Sequence, residues 1–226
     1  MTGWEKFADS FFNARVAAEY TPKIIEGLWL TLALAGLVIV AGLATGLFLA
    51  VLRAMGFRPL NWLIIFVIDL FRALPPLVII VLLYFGLPAA GLSLSGFVAA
   101  WLALSLVLMA FSEEIFWAGI TAVPKGQWEA SRSLGLSFLV TFFRVILPQA
   151  LRVVIPPLVN RTIAITKGTA LASVVAVPEI LGAAQAGVSF SFNPTPLTLG
   201  AAAYLALFLP VVVLGRWVET RFAWKR

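Results

Sequence analysis

From Gly27 to Leu52 the chain runs 26 residues without a charged side chain. A helix of that length, at about 1.5 Å per residue, reaches past the roughly 30 Å hydrocarbon core of a bilayer. Backbone N–H and C=O groups in lipid must be satisfied inside their own segment, so a spanning run of this kind is a helix. Further apolar runs lie at about 60–85, 97–120, 149–167 and 197–214, which makes five expected spans. Hydrophobic residues make up 62% of the 226 and charged residues 12%, where soluble domains average about 45–50% and 25%. The fold class is therefore an all-α integral membrane protein, with little length left for a soluble domain.

The residue types that are missing narrow the chemistry. The chain has no Cys and no His, which removes thiol chemistry, disulfides, His–metal ligation and the usual Ser-His and Cys-His catalytic pairs. No catalytic residue and no metal site are expected. In so apolar a chain the net charge of +6 reads as an excess of cytoplasmic Lys and Arg rather than as a nucleic-acid footprint.

Residues 1–26 carry Glu5, Lys6, Asp9, Arg15, Glu19, Lys23 and Glu26, so no cleaved leader is expected. Trp4, Phe7 and Phe11 recur at helical spacing, which fits a short amphipathic helix on the membrane surface; a frayed tail is the alternative. Gly42 and Gly46 form a GxxxG in the first span, and Arg53, Gly56, Arg58 and Pro59 a short polar turn after it. Asp69 and Arg72 share a face of the second span, either as a self-neutralising pair or on a transport path. Pro75 and Pro76 predict a kink there, and Gly86, Pro88, Gly91 and Gly96 a tight turn beyond it. Glu113 and Glu114, near the end of the third span, point about 100° apart and cannot easily share one partner, so at least one faces the interior. The fourth span carries Arg152, Arg161, Lys167, Pro156 and Pro157, and it is expected to line the bundle interior. Residues 168–196 read as a re-entrant or surface helix followed by a loop.

Five spans put the Arg53 turn, residues 121–152 and the C-terminal tail on one side. Ten Lys and Arg fall there, including Lys225 and Arg226, against Glu129 and Glu219; the other side has three against five acids. Positive residues stay inside, so the N-terminus is expected outside and the C-terminus in the cytoplasm. The domain plan is an outer segment 1–26, a membrane domain 27–220 with a loop at 121–148, and a cytoplasmic tail 221–226.

The loop is the informative interruption. Pro124 closes the third span, Gln127 to Leu134 can form two helical turns, Gly135 suits a left-handed cap, Ser137 can cap the next helix, and Pro148 bends the chain into the fourth span. Ala130 and Leu134 then form a small apolar edge, and Glu129, Arg132 and Ser133 a polar one. A short two-faced helix on rigid corners is suited to sit in a partner's groove; an ordinary solvated loop is the alternative. The spacing goes further. Glu129-Ala130-Ser131, three residues, Gly135, nine residues, Val145, Ile146 and Leu147-Pro148 resemble the EAA loop of permease subunits in bacterial ABC importers, with Ser131 for Ala and Val145 for Ile. Phe71-Arg72, Pro75, Tyr84 to Pro88, Pro124 to Ala130, Leu147 to Arg152 and Leu171 to Val174 are similar to the histidine/glutamine/arginine-type permeases of type I ABC importers, a resemblance running from about Gly27 to the C-terminus.

That resemblance implies a MetI-like fold of five transmembrane helices with a cytoplasmic coupling helix between the third and fourth. It implies four kinds of partner: a second permease subunit (the same chain or a different one), two ABC ATPase subunits, an external amino-acid binding protein and the lipid bilayer. ATP and Mg would be bound by the ATPase, with no cofactor in this chain. Gln127, Trp128, Glu129, Ala130, Leu134, Gly135 and Pro148 would carry ATPase coupling, and Glu114, Arg72, Arg161, Lys167 and Thr169 the substrate pathway. Glu114 would meet a substrate amino group, or else bridge to Arg72; Arg161, where the family commonly has an amide, would meet a carboxylate. Relatives usually carry Arg at the place of Trp117 and Asp at the place of Gly168, which leaves open an unusual substrate or the non-binding half of a heterodimer. The chain has no GxxxxGK[ST] loop of its own. A membrane-embedded enzyme would rest on Glu113, Glu114 or Asp69 without His or Cys, and an ion-coupled secondary transporter would be expected to show inverted repeats, which are not found.

Overall fold

The computed structural model describes residues 2–222; Lys225 and Arg226 of the basic tail lie outside the described residues. Among the described residues the structure is helical throughout, with no strand. Four helical stretches among the described residues are long and apolar enough to cross a bilayer, and a fifth if one broken pair is counted as a span.

Helix α1 (Gly3–Phe11) is a formed helix rather than a frayed end. Thr2 and Glu5 cap it reciprocally, with Thr2 N donating to Glu5 Oε2 at 2.7 Å and Glu5 N to Thr2 Oγ1 at 3.3 Å. Helix α2 (Ala14–Ala54) starts thirteen residues before the apolar run, because Asn13 Oδ1 accepts from Arg15 N and Val16 N at 3.1 Å and so caps it. Its charged first turns carry Pro22 without a break. Gly56, at φ +79°, turns the chain into α3 (Arg58–Ala73), which opens with a proline in its first turn.

The expected kink at Pro75-Pro76 is a full break. Leu74 and Pro75 are extended, with ψ of 133° and 136°, as the residue before a proline prefers. Helix α4 (Pro76–Val81) then widens into a π turn at Leu82–Gly86 and tightens into a 3₁₀ turn at Leu87–Ala90, so α3 with this segment forms the broken pair. Gly86 and Pro88 are thus inside helix rather than in a turn, and the reversal comes at Gly91, at φ +80°. Helix α5 (Gly96–Ala122) ends before Pro124, and α6 (Lys125–Ser133) begins directly after it.

Helix α7 (Phe138–Thr141) is capped by Ser137 and runs through a π turn at Phe142–Ile146 into α8 (Leu147–Thr166). Pro148 therefore does not stop a helix. The wider turn ahead of it, where Leu147 N bonds to Phe142 O, accommodates the ring and the missing N–H. Pro156 and Pro157 also lie inside α8. A 3₁₀ stretch, Lys167–Val175, ends at left-handed Ala176; Glu179 caps α9 (Ile180–Ser191), and left-handed Phe192 leads to α10 (Thr195–Phe222).

The chain divides into two compact units. The first is Met1–Val38, Pro75–Leu104 and Ile165–Val212; the second is Ile39–Leu74, Ser105–Ala164 and Val213–Arg226. In the first, Ile24 packs with Ala183 and Ala184, and Gly27 lets α2 approach the backbone of Glu179, where a Cβ would meet the carbonyl carbon at 2.9 Å. In the second, Ala50, Phe116, Ile120, Phe142 and Ile146 form one buried cluster, and Ile64, Ile68, Met109 and Ala110 another. The GxxxG works as a contact. A Cβ on Gly42 would meet Leu108 at 2.7 Å, one on Gly46 would meet Ser112 Oγ at 2.0 Å, and that hydroxyl donates to Gly42 O at 3.1 Å.

Candidate functional site

Helix α6 is fixed at both ends by backbone chemistry. Pro124, at φ −54° and ψ 136°, sets the entry. At the exit Gly135 N donates to Arg132 O at 3.0 Å and Leu136 N to Ser131 O at 3.3 Å, with Gly135 left-handed at φ +79°. Those two bonds make a Schellman cap, which satisfies the last carbonyls and turns the chain sharply. Arg132 Nη1 adds a bond to Leu136 O at 2.9 Å.

The helix has an inner and an outer side. Trp128 is half-buried and stacks on Phe138 at 5.5 Å, with Phe142 next to both rings at 6.2 and 6.3 Å. Ser131 is buried and donates to Gln127 O at 2.7 Å. Gln127, Glu129, Ala130, Arg132, Ser133 and Leu134 are exposed, Leu134 at 81%. The expected Ala130–Leu134 edge thus lies open, an apolar tip beside Glu129. Trp128, by contrast, is turned against the aromatic pair. Gly135 and Pro148 are also exposed.

Glu113 and Glu114 each find a different arginine, as their 100° separation requires. Glu113 is fully buried, and Arg53 Nη1 lies 3.2 Å from its Oε1 and 3.4 Å from its Oε2. The Arg53 guanidinium also lies 4.4 Å from the Trp117 ring centre, one turn along α5. Glu114 takes Arg72 at 2.7 Å, the alternative raised for it from sequence; Asp69 is a looser partner of Arg72 at 3.8 Å and stays largely exposed. Phe111 carries Arg72 at 5.6 Å and Arg161 at 3.9 Å from its ring centre. Arg72, Glu114 and Arg161 are therefore brought together around one ring.

Lys167 and Thr169 belong to the other unit. Thr169 is buried and donates to Thr166 O at 2.8 Å. Lys167 is exposed and lines an apolar cleft of about 640 Å³ with Ala201, Tyr204, Leu205 and Phe208. Tyr204 donates its hydroxyl to the fully buried Glu179, which also accepts from Gly182 N at 2.8 Å. Sequence reasoning placed Arg53 in a polar turn and gave Glu179 no partner. The buried pairs both residues make join positions far apart in the chain and leave no local pattern.

The family described as "Binding-protein-dependent transport system inner membrane component" matches residues 42–224. A Bacillus subtilis protein named "Probable amino-acid ABC transporter permease protein YckA" is 36% identical over 214 residues, 94% of either chain. Among solved structures, an amino acid ABC transporter described "with histidines" has a TM-score of 0.82 at 34% identity, covering 90% of this chain and 96% of its own. The inward-facing MetNI methionine ABC transporter shares the fold, with a TM-score of 0.69 at 20% identity over 88% of this chain and 96% of its own.

Proposed function

The chain belongs to the family of binding-protein-dependent transport system inner membrane components, and we propose that it imports polar amino acids or their derivatives, with helix α6 as the point where a partner's ATP hydrolysis enters. It is the transport subunit of an ABC importer, and the ATPase is a separate chain. ATP and Mg then belong to that ATPase, and this chain carries no cofactor of its own.

The observation that carries the coupling role is the mounting of α6. A proline corner, a Schellman cap and an aromatic stack hold a nine-residue helix whose Glu129, Ala130 and Leu134 are exposed. Such a helix transmits a push because its ends cannot yield independently of α5 and α7. Closure of two ATPases would move the coupling helices of two permease subunits together and open the path outward to a binding protein. The excess of Lys and Arg in the Arg53 turn and residues 121–152 supports a cytoplasmic α6 and an external N-terminus in a bacterial inner membrane. Arg72 and Glu114 are our candidates for polar groups on the substrate path of this subunit.

The test is ATP-driven uptake in proteoliposomes holding this chain with its ATPase and binding protein. Wild-type complex is expected to accumulate an amino acid only with ATP inside the ATPase compartment. Gly135→Asp is expected to keep ATP hydrolysis and lose accumulation. Normal accumulation by Gly135→Asp contradicts the coupling role.

A further inference from the structure

Helix α1 buries none of its side chains, although it carries three aromatic residues. At about 100° per residue, Trp4, Phe7, Ala8 and Phe11 fall within one arc roughly 100° wide, and Glu5, Lys6 and Asp9 fall outside it. The Phe7 ring centre lies 6.0 Å from that of Trp4 and 4.9 Å from that of Phe11, and all three rings are exposed. Isolated helices shorter than about 12–15 residues are marginal in water, so this one calls for a cover on its aromatic face.

Polar bonds fix where α1 sits. Asn193 Nδ2 donates to Asp9 O at 2.9 Å, Asn13 N donates to Thr195 Oγ1 at 3.0 Å, and that hydroxyl donates to Ser10 O at 3.4 Å. These bonds clip the end of α1 to the corner between α9 and α10, within the first unit. The corner is tight: Phe192 is left-handed at φ +51°, and a Cβ on Gly187 would meet Pro196 at 2.8 Å and the Tyr20 ring at 2.9 Å. The level follows from α10. From Thr195 to Gly215 it has no charged side chain, a length of roughly 32 Å at about 1.5 Å per residue, which is one hydrocarbon thickness. Thr195 therefore stands where α10 leaves the hydrocarbon, and its bonds to Asn13 and Ser10 hold α1 at that level.

We propose that α1 is an interfacial anchor, with its aromatic face seated in the headgroup–acyl boundary of the lipid, and that it pins the α9–α10 corner there. The clip at Thr195 makes this face level with the end of a span, where Trp and Phe rings pack into the boundary region. Lys6 is the one cation of α1, beside Glu5 and Asp9, so seating rests on apolar area and not on anionic headgroups. The anchor does not depend on the importer assignment.

The test is spin-label EPR on the full chain in phosphatidylcholine nanodiscs, with one nitroxide at a time, since the natural chain has no cysteine. Ala8→Cys reports the aromatic arc and Lys6→Cys the polar side, both at exposed positions. The label at 8 is expected to show a several-fold higher ratio of collisions with oxygen to collisions with a water-soluble nickel chelate than the label at 6. Both ratios are expected to stay the same when phosphatidylglycerol replaces part of the lipid. With Trp4→Ser, Phe7→Ser and Phe11→Ser combined, which leaves every buried side chain in place, a label at Phe192→Cys is expected to gain mobility while one at Leu134→Cys is unchanged. Equal ratios at 6 and 8 overturn the proposal, as does low collision with both reagents at 8, the mark of a protein cover. So do ratios that move with phosphatidylglycerol, an unmoved label at 192, or equal loosening at 192 and 134.

Discussion

Arg53 and Glu113, sixty positions apart, close an ion pair at 3.2 Å on a carboxylate with no exposed side-chain surface. The arginine, 18% exposed and stacked on Trp117, carries the pair toward solvent. Removing either partner alone leaves a charge without its counter-ion in a packed interior, which costs about 3–5 kcal/mol for a fully buried pair. Glu113→Ala is expected at the low end of that range because Arg53 keeps some water. Replacing both by Met is expected to recover most of the loss. Thermal unfolding of the detergent-solubilised chain checks this: additive losses in the double variant would mean that the two side chains do not act as a pair.

The contact between α2 and α5 depends on glycine at Gly42 and Gly46, whereas Gly36, further back on α2, has open space around it. At Gly46 a Cβ would lie 2.0 Å from Ser112 Oγ and 2.9 Å from Met109 O, whereas at Gly36 it would meet nothing within 4 Å. Gly46→Val is expected to destabilise by about 1–3 kcal/mol through overpacking. Gly36→Ala is expected to be neutral or to stabilise by up to about 1 kcal/mol as a helix-interior Gly→Ala change. Comparing the two variants in one unfolding assay decides the point, and equal behaviour would refute it.

Trp128 and Gly135 hold α6 in different ways. Gly135→Ala forces a Cβ into a left-handed residue, at a cost of about 1–2 kcal/mol. Trp128→Ala removes the ring that packs on Phe138 and Phe142. Both variants are expected to assemble with the ATPase and hydrolyse ATP, with at least a several-fold fall in solute accumulated per ATP. A fall in both activities in equal proportion would mean lost assembly rather than lost coupling.

The parts of this structure visible in the sequence are those set by neighbouring residues. The break at Pro75-Pro76 follows from proline stereochemistry, and the α6 exit from Gly135, whose place after a short helical pattern called for a left-handed residue. The early start of α2 was hidden because Glu19, Lys23 and Glu26 interrupt the apolar pattern. Hydropathy reports the bilayer, whereas Asn13 and the backbone decide where the helix begins. Gly86 and Pro88 looked like a turn, yet π and 3₁₀ geometry keeps them helical. The bridge from Glu114 to Arg72 was foreseen as one of two outcomes, since the two charges were the obvious partners on successive spans. Arg53–Glu113 and Glu179–Tyr204 were not, because only tertiary packing brings them together.

The central claim, that a separate ATPase engages this chain at the tip of α6, is tested most directly by single-cysteine cross-linking. The natural chain has no cysteine, so Leu134→Cys and Phe192→Cys each supply one thiol, at positions 81% and 92% exposed. With a maleimide–benzophenone photo-cross-linker attached to that thiol in the assembled complex, which needs no thiol on the partner, the account predicts a cross-link to the ATPase from position 134 and none from position 192. No ATPase adduct at 134, or an equal adduct at 192, would contradict it.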